Sequence, residues 1–312
     1  MTARIVITEF MDEDAVAWLR ARADVLYEPH LVDDPIRLNE AAAAADALIV
    51  RNRTQVRNGL LDALHRARVV GRLGVGLDNI DVETCRSRGI AVIPATGANA
   101  VAVAEYVIAS LLLLSRPVYG ATAEVLAGGW PRNRLVGGEI AGRTLGLVGF
   151  GYIAREVARR ASALGMRIVA HDPLVPLADA AWGEHAAIPM PLAQVLSEAD
   201  AVSLHVPLTP ETRNLIDSAA LAGMKRGALL INTSRGGIAD EAALASALHS
   251  GQIGGAALDV FAEEPLSSGG PLAGAPNLIL TPHIAGVTNE SNSRVSHLIA
   301  RRVMEHLEGP AA

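Results

Sequence analysis

Residues 144–165 read TLGLVGFGYIAREVARRASALG. An apolar run, Thr144 to Val148, turns at Gly149-Phe150-Gly151 and continues with helical periodicity from Tyr152. Strand, glycine turn and helix open a βαβ unit. Gly149 permits the tight turn, and Gly151 lets the backbone approach a pyrophosphate lying on the helix N-terminus. Ala154 takes the third small position, where helix and strand must pack closely. Alone, the motif is weakly specific. Its context strengthens it, because the next apolar run (166–172) ends in Asp172, 21 residues past Gly151. That is the offset of the acid that binds an adenosine ribose. An aspartate there accepts from both ribose hydroxyls and repels a 2′-phosphate, and Pro173-Leu174 offers no cation to hold one. The expected cofactor is NAD.

Outward from this unit, short apolar runs alternate with helix-period stretches almost throughout. Residues 4–10, 24–28, 47–50, 68–74 and 90–95 form one series; 144–150, 166–172, 200–206, 228–234, 254–261 and 278–283 form a second. Such alternation predicts α/β architecture, two doubly wound parallel sheets. The expected boundaries are one domain at 1–97 and another at 98–285, with a terminal amphipathic helix, 289–308, returning to the first as part of 286–312. The apolar stretch 101–114 is too short to span a bilayer and carries Glu105, so a buried helix is expected.

Composition narrows the function. Of 312 residues, 50% are hydrophobic and 19% charged, which excludes a largely disordered chain. A net charge of −6 argues against nucleic-acid and anionic-membrane partners. Cys85, the single cysteine, permits no intrachain disulfide, and the His, Asp and Glu residues show no compact metal-ligand spacing, so no metal is expected. The N-terminus lacks a signal pattern, and a cytoplasmic protein acting on a small molecule is expected.

Three further stretches place chemistry at strand ends of the second series, where ligands bind in open parallel sheets. LLINTSRGG puts Arg235 after one strand, ALDVFAEEP puts Asp259 and Glu264 after another, and LILTPHIAG puts His283 after a third. Singly, each has an ordinary structural reading. Together they form a set for hydride transfer from a 2-hydroxy acid. The histidine takes the hydroxyl proton, a carboxylate holds the ring and favours its imidazolium, and the arginine fixes the substrate carboxylate and polarises the keto oxygen.

The blocks LGLVGFGYIA, LLINTSRGG, ALDVFAEEPL and TPHIAG resemble those of the D-2-hydroxyacid dehydrogenase family. GRLGVGLDNID (71–81) and ANAVAVAEY (98–106) resemble its phosphoglycerate dehydrogenase branch. The resemblance implies a Rossmann NAD domain inserted in a flavodoxin-like substrate domain, a cleft between them, and a homodimer built on the NAD domains. It places the catalytic roles on Arg235, Glu264 and His283. Cofactor contacts fall on Tyr152, Ile153, Val206, Thr233, Ser234 and Asp259, besides Gly149, Gly151 and Asp172. The backbone amides of Leu73, Gly74, Val75 and Gly76 fall where the family grips the substrate carboxylate. Ala262 departs from the acid many members carry there, without touching Glu264. An NAD-sensing corepressor uses the same fold and is the alternative from another class.

LIVRNRT (48–54) ends an apolar run in Arg51 and Arg53. In the phosphoglycerate branch the counterpart is also arginine-bearing and near the substrate, so both are expected to bind a distal anion. A 3-phosphoglycerate-like substrate comes first on this reading, with 3-sulfolactate, or the reduction of hydroxypyruvate (to glycerate) or glyoxylate, as alternatives.

Overall fold

The computed structural model describes residues 2–309 and divides into two units. One runs to Asn99 and resumes at Val287; the other is Ala100–Gly286.

In the first unit the strands are β1 (Arg4–Ile7), β2 (Asp24–Tyr27), β3 (Ala47–Val50), β4 (Val69–Arg72) and β5 (Ala91–Pro94). All pair in parallel in the order β2-β1-β3-β4-β5, the flavodoxin-like arrangement. Side chains alternate across the sheet. Ile5, Ile7, Ile49 and Val69 enter one core with Val295, Ile299 and Val303 of the helix Asn289–Glu308. Val6, Leu48, Val50 and Val70 enter the other with Leu38 and Leu61. Every residue of β3 is therefore buried, which is why it reads as an unbroken apolar run. Gly71 makes room for the terminal helix: a Cβ there would lie 2.7 Å from Ile299 Cγ2.

The second unit contains β6 (Thr144–Val148), β7 (Arg167–His171), β8 (Ala187–Pro189), β9 (Ala201–Leu204), β10 (Ala228–Asn232), β11 (Ile253–Leu258) and β12 (Leu278–Leu280). They form a parallel sheet ordered β12-β11-β10-β9-β6-β7-β8, the doubly wound dinucleotide-binding order with its reversal between β6 and β9. The edge strand β8 was not expected from sequence; its three residues run into Pro189 and Pro191, which read as a turn. The helix Ala100–Ser115 packs Ala104, Val107 and Leu111 into the same core as Ala154, Ala158 and Ala161 of the helix Tyr152–Ala163. The methyl side chains of Ala154, Ala158 and Ala161 let this helix approach closely, and Leu145 and Leu147 of β6 share the same core. Among the described residues, no single helix is long and apolar enough to cross a membrane.

Candidate active site

At the reversal, Gly149 has φ 90°, and a Cβ there would lie 2.6 Å from His205 O. Both the turn and the close approach require glycine. Gly151 caps the helix Tyr152–Ala163 without a side-chain bond, and a Cβ built on it meets nothing within 4 Å. The N-terminus of that helix is thus open to an anion. Asp172 is tied to this turn: its Oδ2 accepts from Phe150 N at 2.8 Å and its Oδ1 from Leu174 N at 2.9 Å. Each oxygen keeps a lone pair for a ribose hydroxyl. Thr233 Oγ1 and His205 Nε2, at the ends of the neighbouring strands β10 and β9, are buried without a partner among the described residues. An open helix terminus, an anchored acid and orphaned polar atoms along one sheet edge fit a dinucleotide. Tyr152 is 66% exposed at the first turn of the helix, while Ile153 and Val206 line the two cores.

Beyond β10, Asn232 organises the turn that carries Arg235. Its Oδ1 accepts from Ser234 N (3.0 Å) and Ser234 Oγ (2.8 Å), and its Nδ2 donates to Arg235 O (2.9 Å). The Arg235 guanidinium donates to Ser234 O at 2.5 Å.

Beyond β12, His283 Nδ1 lies 2.8 Å from Glu264 Oε2, the other oxygen of which accepts from Phe261 N at 3.1 Å. The pair stays accessible, at 48% and 37% side-chain exposure. His283 sits in the left-handed region (φ 54°), a conformation costing on the order of 1 kcal/mol for a non-glycine residue. Asp259, 1% exposed, holds it there. Its Oδ1 accepts from Thr281 Oγ1 (2.6 Å) and Ile284 N (2.8 Å), its Oδ2 from Ala285 N (2.8 Å), and its backbone O from His283 N (2.8 Å). Tyr106 OH, 2.6 Å from Thr281 Oγ1, donates to it and extends the chain. Burial pushes the Tyr106 hydroxyl above its ordinary pKa, and the Asp259 charge adds to this. The structure therefore places the Asp259 carboxylate beneath the histidine turn. Thr281, Tyr106 and Asn232 were not singled out by the sequence, because their partners are far away or carry no local pattern.

In the first unit, Arg51 and Arg53 leave β3 together but differ. Arg51 is part-buried, donates from Nη2 to Asn292 Oδ1 (3.0 Å) and stands 5.6 Å from the Phe10 ring. The rest of its fork has no acceptor among the described residues. Desolvation lowers its pKa, with the nearby Glu9 charge opposing. Arg53 is exposed and both its terminal nitrogens bond the Asp33 carboxylate, which also lies 3.6 Å from His30 Nδ1. In the Leu73–Gly76 loop, Leu73 N donates to Val50 O and Gly74 N to Arg72 O, each at 2.8 Å. These two amides, of the four expected to grip an anion, are bonded within the strand end. Among the described residues the amides of Val75 and Gly76 have no acceptor.

A nucleotide-binding sheet with an accessible histidine–carboxylate pair at its carboxyl edge defines a dinucleotide-dependent dehydrogenase. Comparison with known proteins specifies it. Residues 108–285 match the family described as D-isomer specific 2-hydroxyacid dehydrogenase, NAD binding domain. An (S)-sulfolactate dehydrogenase of Chromohalobacter salexigens is 56% identical over 303 residues, 97% of this chain and 98% of that one. A chloroplastic D-3-phosphoglycerate dehydrogenase of Arabidopsis thaliana is 43% identical over 307 residues, 98% of this chain but only 49% of that protein. The solved TT0316 protein of Thermus thermophilus superposes with a TM-score of 0.86 at 36% identity, covering 98% and 97% of the two chains. The chain belongs to the D-isomer specific 2-hydroxyacid dehydrogenase family. It is an NAD-dependent oxidoreductase acting on 2-hydroxy acids.

Proposed function

We propose that the enzyme interconverts 3-sulfolactate and 3-sulfopyruvate. The observation that carries this reading is the 56% identity, over nearly the full length of both chains, to a protein named (S)-sulfolactate dehydrogenase. The (S) label agrees with D-specificity. Sulfur outranks the carboxyl carbon in the naming rules, so sulfolactate with the spatial arrangement of a D-hydroxy acid is written (S).

Charge supports the same choice over phosphate. The Arg53 guanidinium is bonded to Asp33 and the Glu9 carboxylate to the loop's backbone amides, which leaves Arg51 as the principal cation with donors for a ligand beyond β3. One guanidinium suits a sulfonate, which carries a single negative charge at every working pH. A phosphate monoester carries about −1.5 to −2 at pH 7. Asn292 and the Phe10 ring fix the orientation of the arginine, and such a fork binds a tetrahedral oxyanion through two parallel bonds. The amides of Val75 and Gly76 take the substrate carboxylate.

Bound NAD supplies a two-electron hydride acceptor. In oxidation the C2–H hydride leaves, the hydroxyl proton passes to His283 Nε2, and the C2–O bond becomes a carbonyl. The Glu264 carboxylate, 2.8 Å from Nδ1, stabilises the imidazolium that results. Asp259 and Thr281 hold the ring's turn, and Arg235 polarises the keto oxygen in the reverse direction.

The test is NADH oxidation by 3-sulfopyruvate and by pyruvate. Arg51→Ala removes a charge-assisted contact, about 1.5–3 kcal/mol, so KM for 3-sulfopyruvate should rise on the order of tenfold or more beyond any rise for pyruvate. Equal effects on both substrates would remove Arg51 from the distal-anion role. In the same assay His283→Ala should lower kcat by about 10²–10⁴ while NADH still binds; near-normal turnover would refute its role.

A further inference from the structure

We infer that Glu9 is a positioning residue for distal-anion specificity, acting through the backbone of the Arg51–Thr54 loop; the inference rests on the reading of Arg51 as the distal-anion ligand. Glu9 lies two residues past β1, the neighbour of β3 in the sheet, and is 4% exposed. Its Oε1 accepts from Arg51 N (2.9 Å) and Thr54 N (3.0 Å), and its Oε2 accepts from Arg53 N (3.0 Å). Three converging amides form an anion-binding concavity, filled here by the protein's own carboxylate. Burial acts to raise the carboxyl's pKa, but the amides of Thr54, Arg53 and Arg51 more than offset it and leave it below the usual range. It is ionised wherever the enzyme is assayed near neutral pH.

The loop is held from its carbonyl side as well. Asn79 Nδ2 donates to Thr54 O (2.7 Å) and Arg51 O (3.2 Å), and the hydroxyls of Thr8 and Thr54 lie 2.8 Å apart. A long arginine side chain is only as well placed as the backbone beneath it, and the Asn292 contact fixes its tip. Glu9 therefore fixes the base of the arm that Asn292 fixes at the end. A buried carboxylate is an expensive way to close a strand end, since an apolar residue does so without desolvating a charge. It is the natural choice where the amides of one loop must be held in one arrangement.

Glu9→Gln separates position from charge. Glutamine keeps an oxygen for Arg51 N and Thr54 N but turns an amide NH₂ toward Arg53 N, donor against donor. Removing the charge alone would strengthen anion binding; loosening the loop weakens it. Steady-state kinetics with NADH should show Glu9→Gln raising KM for 3-sulfopyruvate about tenfold more than KM for pyruvate. The loss should fall on KM and not on kcat. An unchanged or lowered KM ratio, or a loss confined to kcat, overturns the inference. Arg51→Ala is run in parallel. If only Glu9→Gln fails to separate the substrates, the Glu9 role alone is wrong; if Arg51→Ala fails too, the anion reading falls and takes the Glu9 role with it. Should Glu9→Gln not fold, Asn79→Ala frees the same loop from its other side, and the same rise or its absence decides.

Discussion

Two histidines at strand ends of the second unit show how one residue type takes opposite characters. His283 is exposed and paired with Glu264. His205 Nε2 is enclosed without a partner among the described residues, and burial pushes its pKa down to about 3, so it stays neutral at any working pH. A neutral, enclosed imidazole is no acid–base catalyst. The depressed value has a cost in acid. Between roughly pH 6.5 and 3 the unfolded chain binds a proton there that the folded chain refuses, so stability falls as pH falls through that window. From pH 6.5 to 5 the loss is at most about 2 kcal/mol. Denaturant unfolding at those two pH values should show a smaller acid loss for His205→Gln than for the native sequence. An identical loss in both would show that His205 takes up its proton in the folded state. The sequence placed both histidines at strand ends; it could not show which was enclosed, because enclosure comes from segments distant along the chain.

At the scale of elements, the turns after β10 and β11 are locked together at Gly236. A Cβ there would lie 1.8 Å from Phe261 O and 1.9 Å from Phe261 C, with no flexible side chain to yield. Arg235 on one turn and Glu264 on the other are thus referenced to one backbone contact. Gly236→Ala should force the turns apart, destabilising by about 1–3 kcal/mol and lowering kcat/KM through Arg235. Gly223→Ala is the control, because nothing lies within 4 Å of its Cβ. Thermal unfolding decides it: Tm should fall for Gly236→Ala only, and equal Tm values would mean the turns separate freely. The glycines of SRGG were visible in the sequence, but the partner 25 residues on was not. At the Leu73–Gly76 loop it was the register that the sequence hid. Its glycines announced an anion nest, while the register that gives Leu73 N to Val50 O is fixed only by strand pairing. Glu9 and Asn292 were missed for the same reason, since Asn292 meets Arg51 from 241 residues away.

Across the whole molecule, the fold was the most legible feature. Parallel strands covered on both faces leave unbroken apolar runs, and the glycine turn with its acid 21 residues on marked which sheet binds the dinucleotide. The proposed catalytic set could be named from sequence because its members stand at strand ends, where ligands bind in open parallel sheets. The substrate was not. Phosphate and sulfonate are both tetrahedral oxyanions, and an arginine after a strand announces either. On the proposed reading what separates them is charge balance, and that depends on Asp33 meeting Arg53, a pairing invisible along the chain. The most direct test measures kcat/KM with NADH for 3-sulfopyruvate and 3-phosphohydroxypyruvate under the same conditions. A preference for 3-sulfopyruvate of at least about tenfold is predicted, the equivalent of about 1.4 kcal/mol. Equal values, or a preference for the phosphorylated acid, would contradict the assignment.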